Sequence, residues 1–179
     1  MEHLNHPCII REFEMIDSPK RVHIVMEYAG GGNLCSYVKA RGRLQEEESR
    51  RIFIQLLMAV EYMHDCCIIH RDIKCGAPTR APSRAHCAPF TSPPLPHPDR
   101  LENVIFDEDQ KIVKLTDFGF SVMVRDPNKR LRIFCGTPSY MAPEITQRQE
   151  YLGRPVDVWS LAILLYAMLA GHFPFTAKT

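Results

Sequence analysis

Seven of the fourteen prolines in this 179-residue chain fall between Cys75 and Arg100. The stretch reads CGAPTRAPSRAHCAPFTSPPLPHPDR, with a single acidic residue, Asp99, and neither helical nor strand periodicity. Proline lacks the backbone donor and fixes φ, so no helix and no central strand can run through it. It also carries too little apolar surface to offset the entropy of ordering it, and it reads as disordered. A structureless loop of this length is unusual inside a compact domain. Any fold must therefore be built by the two flanking stretches, meeting around it.

Those flanks have what a core needs. The chain is 45% hydrophobic and 24% charged, an ordinary balance for one globular domain. Its 22 basic and 21 acidic residues leave a net charge of +1, which excludes a bulk-charge argument for nucleic acid or an anionic membrane. The longest apolar stretch, Val156 to Ala170, contains Asp157 and falls short of the roughly 20 residues a membrane span needs. It reads as a helix buried in a soluble domain. The seven cysteines are odd in number with no C-x-x-C pair, and the opening MEHLNHP is not an apolar leader. Reduced thiols and an intracellular, cytoplasmic setting are the expectation.

Ile9 to Ile16 and Arg21 to Tyr28 read as two strands joined by the turn Asp17-Ser18-Pro19-Lys20. Glycines 30–32 break the chain, and Asn33 to Ala40 suits a short helix. A long helix is expected from about Gln45 to His64. There Ile52, Phe53, Leu56, Leu57, Val60 and Met63 recur at helical steps, and Glu46 to Glu48 favour the N-terminal dipole. Val104 to Phe106 and Lys111 to Leu115 read as a hairpin around Asp107 to Gln110, while Pro143, Pro155 and Gly171 bracket two more helical segments. Strands, helices, a hairpin and helices again make an α+β pattern rather than a doubly wound sheet.

Three strings stand in a telling order: His70-Arg71-Asp72-Ile73-Lys74, Asp117-Phe118-Gly119 and Ala142-Pro143-Glu144. The last lies 25 residues beyond Asp117, behind Gly136-Thr137-Pro138. Each alone is weak; together, with this spacing, they resemble the eukaryotic protein kinase family. The resemblance covers the chain outside 75–100. It implies a kinase-like α+β fold: residues 1–28 as two strands of the N-lobe, and 29–179 as part of the helical C-lobe, interrupted by the proline-rich insertion.

By that resemblance, Asp72 accepts or orients a substrate hydroxyl and Lys74 touches the moving phosphate of ATP. Asn103 and Asp117 supply the hard oxygen ligands of magnesium. Met26 would be the gatekeeper, the backbones of Glu27 and Ala29 would hold adenine, and Ile105 would lie beneath the base. His70 and Phe118 would pack between the lobes, Thr137 would brace Asp72 and Lys74, and Asp157 would support the catalytic loop. Lys74 and the string Gly136-Thr137-Pro138-Ser139-Tyr140-Met141 resemble the serine/threonine class, so the implied partners are proteins with serine or threonine hydroxyls. MEYAGGGNL and FCGTPSYMAPE resemble the calmodulin-dependent and AMP-activated group.

The departures are as informative. A whole kinase domain is roughly 250–300 residues by resemblance, at the upper end of domain size. The glycine-rich phosphate loop, the ATP-holding lysine and its glutamate partner are not among these residues. Met1 reads as an internal methionine of a longer protein. The chain also stops before the arginine that usually pairs with Glu144. Asn33 stands where many basic-directed relatives carry glutamate, Glu12 occupies a normally apolar strand position, and Ile133 replaces a threonine that relatives phosphorylate and pair with the arginine matched by Arg71. The expectation is a fragment of a serine/threonine kinase, inactive by itself; the alternative is a non-catalytic kinase-like binding or scaffolding module.

The insertion has its own arithmetic. Asp72 and Asn103 lie 31 positions apart, against five in H-R-D-x-x-x-x-N. The excess equals the 26 residues of 75–100, and deleting them leaves HRDIKLENVIFDE. Lys74-Cys75 can be written AAG-TGC, which contains a GT splice donor. Arg100 can be written AGG, whose AG is an acceptor and whose last G rebuilds the lysine codon. Phe90 to Pro98 can be encoded as a pyrimidine tract. The segment reads as translated intron.

Overall fold

The computed structural model describes residues 4–75 and 103–175. Residues 76–102, which hold nearly all of the expected insertion, lie outside the described residues. Two strands open the described chain, β1 (Glu12–Ser18) and β2 (Arg21–Met26), paired antiparallel with Ser18 opposite Arg21. The hairpin starts later and ends earlier than the sequence suggests, while β1 runs on through Asp17 and Ser18, so that only Pro19 and Lys20 make the turn. Ile9 and Ile10 belong elsewhere: Ile10 N donates to Leu115 O at 2.9 Å, and Leu115 N to Cys8 O at 2.9 Å. Glu12, odd for a buried strand, is only partly covered and faces a register shift between Glu12 and Glu14, so its charge needs no buried partner.

The first helix, α1 (Leu34–Arg41), explains Asn33. Its side-chain oxygen accepts from Ser36 N at 2.7 Å, a helix cap satisfying one of the orphan amides of the first turn. Gly42 ends the helix and hands the chain to α2 (Glu46–Asp65). Ile52, Leu56, Ala59, Val60 and Met63 of α2 are buried, whereas Leu57 faces solvent, one step off the apolar stripe.

After α2 come β3 (Ile68–Ile69), β4 (Val104–Phe106), β5 (Val113–Leu115), β6 (Val122–Met123) and β7 (Arg130–Leu131). The four-residue helix α3 (Pro143–Thr146), strand β8 (Tyr151–Leu152) and helix α4 (Gly153–Ala170) follow. β4 pairs with β5, β3 with β6 and β7 with β8, all antiparallel. The turn between β4 and β5 is set by Asp107, whose Oδ1 accepts from Lys111 N and Ile112 N.

α4 is long and apolar enough to cross a membrane by length and composition, but half of it is buried inside the protein. It packs on α2, and Leu161, Leu164, Ala167 and Met168 enter the main core with Leu56, Met63 and Ile73. A smaller cluster, Ile69, Leu131, Ile145, Tyr151 and Val156, closes the other side of β3. The six described cysteines form no disulfide with one another.

Candidate active site

The segment His70 to Lys74 leaves β3 as a loop whose shape is fixed from below. Asp157, fully buried near the start of α4, accepts from His70 N at 3.0 Å on Oδ2 and from Arg71 N at 2.8 Å on Oδ1. Its Oδ2 also takes the Nε2 proton of His64 at 2.8 Å. One carboxylate thus satisfies two loop amides and an imidazole, which lets Arg71 adopt φ 69°. His64 escaped sequence reading because on α2 it reads as one more helix-end residue.

His70 has both ring nitrogens engaged. Nδ1 accepts from Asp72 N at 3.3 Å, so the proton sits on Nε2, which donates to Thr116 O at 3.2 Å. Burial pushes its pKa below the ordinary 6.5, and His6 shifts the same way for the same cause. Folded, His70 stays neutral; unfolded, it takes up a proton. Its contribution to stability is therefore intact above about pH 6.5 and is lost as pH falls below it. The urea midpoint is expected to drop between about pH 7.5 and about pH 5.5, above the carboxylate range; an unchanged midpoint contradicts this account.

Around Asp72 the expected residues converge. Lys74 Nζ lies 2.7 Å from Oδ2, Thr137 Oγ1 donates to Oδ1 at 2.8 Å, and Asn103 Nδ2 donates to Asp72 O at 2.7 Å and to Oδ2 at 3.2 Å. Asp72 is only 3% exposed, so its charge is held by protein donors rather than water. Thr137 gets there because Gly136, at φ 112°, crosses close to the loop; a Cβ on it would stand 2.9 Å from Arg71 O.

Both donors of the Asn103 amide are committed, and its Oδ1 is buried with no hydrogen-bond partner among the described residues. Asp117 is brought near by Thr116 N, which donates to Asn103 O at 2.9 Å. Its own backbone is left-handed, at φ 60°, and among the described residues its exposed carboxylate accepts only a long 3.3 Å contact from Gly119 N. An orphaned amide oxygen and an under-used carboxylate fit a hard divalent cation such as Mg2+.

The residues expected at an adenine site form a separate group. Glu27 N donates to Arg11 O at 2.8 Å, while its carboxylate bridges Lys114 Nζ at 2.7 Å and Arg11 N at 3.2 Å. This anchors the segment after β2 to β5, a side-chain role that sequence reading missed. Among the described residues the Glu27 carbonyl and the Ala29 N–H enter no hydrogen bond. Met26 is 44% exposed and Ile105 half-buried. Gly31 then meets β4, its N donating to Phe106 O at 3.1 Å; a Cβ there would fall 1.8 Å from Asp107 O.

The sequence profile of the protein kinase domain matches residues 1–76 and 97–179. The serine/threonine protein kinase OSK3 of Oryza sativa subsp. indica is 39% identical over 170 residues, covering 95% of this chain and 28% of that protein. OSK4 of Oryza sativa subsp. japonica is equally similar, with the same coverage. The chain thus spans 28% of the length of these curated relatives. With its mixed helices and short strands, and with the profile matching on both sides of the proline-rich stretch, the chain belongs to the protein kinase domain family, in the α+β fold that its motifs announce.

Proposed function

We propose that this chain is part of a protein serine/threonine kinase that transfers the γ-phosphate of ATP to protein hydroxyls. The observation that carries the reading is the convergence of Lys74, Thr137 and Asn103 on the buried Asp72, with Asn103 Oδ1 left without a partner. Asp72 is placed to accept the hydroxyl proton, and Lys74 to follow the charge of the moving phosphoryl group. Asn103 and Asp117 would hold Mg2+, which would supply positive charge to offset that of the nucleotide phosphates. The free Glu27 carbonyl and Ala29 N–H offer an acceptor and a donor to adenine, with Met26 and Ile105 as apolar flanks.

Residues 1–179 contain no glycine-rich loop to cover the phosphates. The isolated chain is expected to bind nucleotide with Mg2+ dependence and not to turn it over, since phosphoryl transfer is mostly positioning and charge stabilisation. The test is transfer of labelled phosphate from ATP to a serine- or threonine-containing protein by the whole protein that carries this domain. Magnesium-dependent binding without transfer in that protein would favour the scaffolding alternative.

Residues 75–100 are part of the same proposal: an insertion encoded by retained intron, of which Cys75 alone is described, buried against Tyr140. Asp72 and Asn103 are in contact, so the chain between them leaves and returns at one spot. Closing a loop of 31 positions instead of five costs about 1.6 kcal/mol more. Excising 75–100 is expected to raise unfolding free energy by about that amount in urea titration. A destabilised deletion would show that the segment contributes structure, and cDNA across the junction reads the splice directly.

A further inference from the structure

Arg71 sits between the loop that carries Asp72 and the segment that leads to Thr137. Its Nε donates to Phe120 O at 2.7 Å, while Nη1 is buried with no hydrogen-bond partner among the described residues. Among the described residues that Nη1 group makes no hydrogen bond that would hold the facing chain in place. Ile133, the residue on that chain where relatives carry a modifiable threonine, is a hydrocarbon.

The facing chain is nevertheless held, and by residues 148–152. The hydroxyl of the buried Tyr151 donates to Ile133 O at 2.8 Å. The Tyr151 ring packs with Leu131, Ile69, Ile145 and Val156 in the smaller core cluster. Strand β8 pairs with β7, placing Arg130 opposite Leu152 and Leu131 opposite Tyr151. Arg132 forms an ion pair with Glu150, and the Arg148 guanidinium lies 5.5 Å from the Phe134 ring centroid. Burial raises the pKa of the Tyr151 hydroxyl, and the positive charge of Arg71 opposes that rise.

We propose that residues 148–152 form a clasp, centred on the Tyr151 hydroxyl, that fixes the chain from Arg130 to Cys135 against the catalytic loop without any modification at residue 133. Tyr151 is in this sense a positioning residue: it acts through the segment that delivers Thr137 to Asp72. The clasp draws its catalytic meaning from the kinase reading, but its existence does not depend on turnover.

The test is amide hydrogen exchange on the full 179-residue chain, without nucleotide, so that an inactive chain does not disturb it. Tyr151→Phe keeps the ring in its apolar cluster and removes only the donor. It is expected to speed exchange across residues 130–135 about two- to tenfold while leaving α2 and α4 unchanged, as loss of one hydrogen bond in a local opening unit requires. Arg132→Glu is expected to add about a twofold loss of protection, and the charge-reversed pair Arg132→Glu with Glu150→Arg to restore it. Unchanged exchange in Tyr151→Phe, an equal rise throughout α2 and α4, or failure of the reversed pair to restore protection overturns the proposal. The exposed ion pair is the check that remains if Tyr151→Phe does not fold.

Discussion

Replacing Asp157 by alanine is expected to abolish most of the stability of this chain. The carboxylate is fully buried and serves the amides of His70 and Arg71 together with the His64 imidazole. Removing it leaves three buried donors without an acceptor, at about 1–3 kcal/mol each, against a total of about 5–15 kcal/mol for a domain. Asp157→Asn keeps the volume and one acceptor but turns an NH2 group toward other donors, so an intermediate loss of about 1–3 kcal/mol is expected. Urea unfolding should rank the three proteins wild type, asparagine, alanine. An alanine variant as stable as wild type would mean that water, rather than Asp157, satisfies the loop.

Asp72→Asn should leave the fold standing and remove the chemistry. Asparagine has the same shape, and the Thr137 hydroxyl can reverse its bond to accept from the new amide. What it cannot do is accept a proton from a substrate hydroxyl or oppose the Lys74 ammonium now 2.7 Å away. Phosphate transfer by the whole protein is expected to fall about 10²–10⁴-fold. Nucleotide affinity should shift by no more than a few-fold, because Asn103 and Asp117 keep their places. A comparable loss of affinity and rate would instead make Asp72 a binding residue, and an unchanged rate would remove it from the mechanism.

The parts of the fold readable from sequence are those specified by neighbours in sequence. The apolar stripe of α2, the turn at Asp107 and the glycine end of α4 each follow from a few adjacent side chains. Asp72, Lys74 and Thr137 of the candidate site are legible for the same reason, because each stands in a short contiguous string. The strands β3, β6, β7 and β8 were invisible for the opposite reason. Each is two residues long, too short for a period of two to register, and exists only because a distant partner lies alongside. Ile9 and Ile10 continue the apolar run of the hairpin in sequence, yet they pair with Leu115 across most of the chain. His64 and Tyr151 carry no local signal at all. Their roles come from a carboxylate 93 positions away and a carbonyl 18 positions away. Asn33 is legible as a cap: asparagine immediately before Leu34, the first apolar residue of a helical stretch, is a helix-start signal.

The β1–β2 hairpin has a consequence in the test tube. Phe13, Met15, Ile16, Val22, Ile24 and Val25 are all exposed on it, on both faces and along two strands whose outer edges are unpaired among the described residues. Apolar ribbons with open edges add further strands from other molecules. With a net charge of only +1 at pH 7, there is almost no electrostatic repulsion to keep copies apart. The isolated chain is therefore expected to self-associate near neutrality, and a lysine placed at Ile24 or Val22 is expected to raise the concentration it tolerates without touching the loop that carries Asp72.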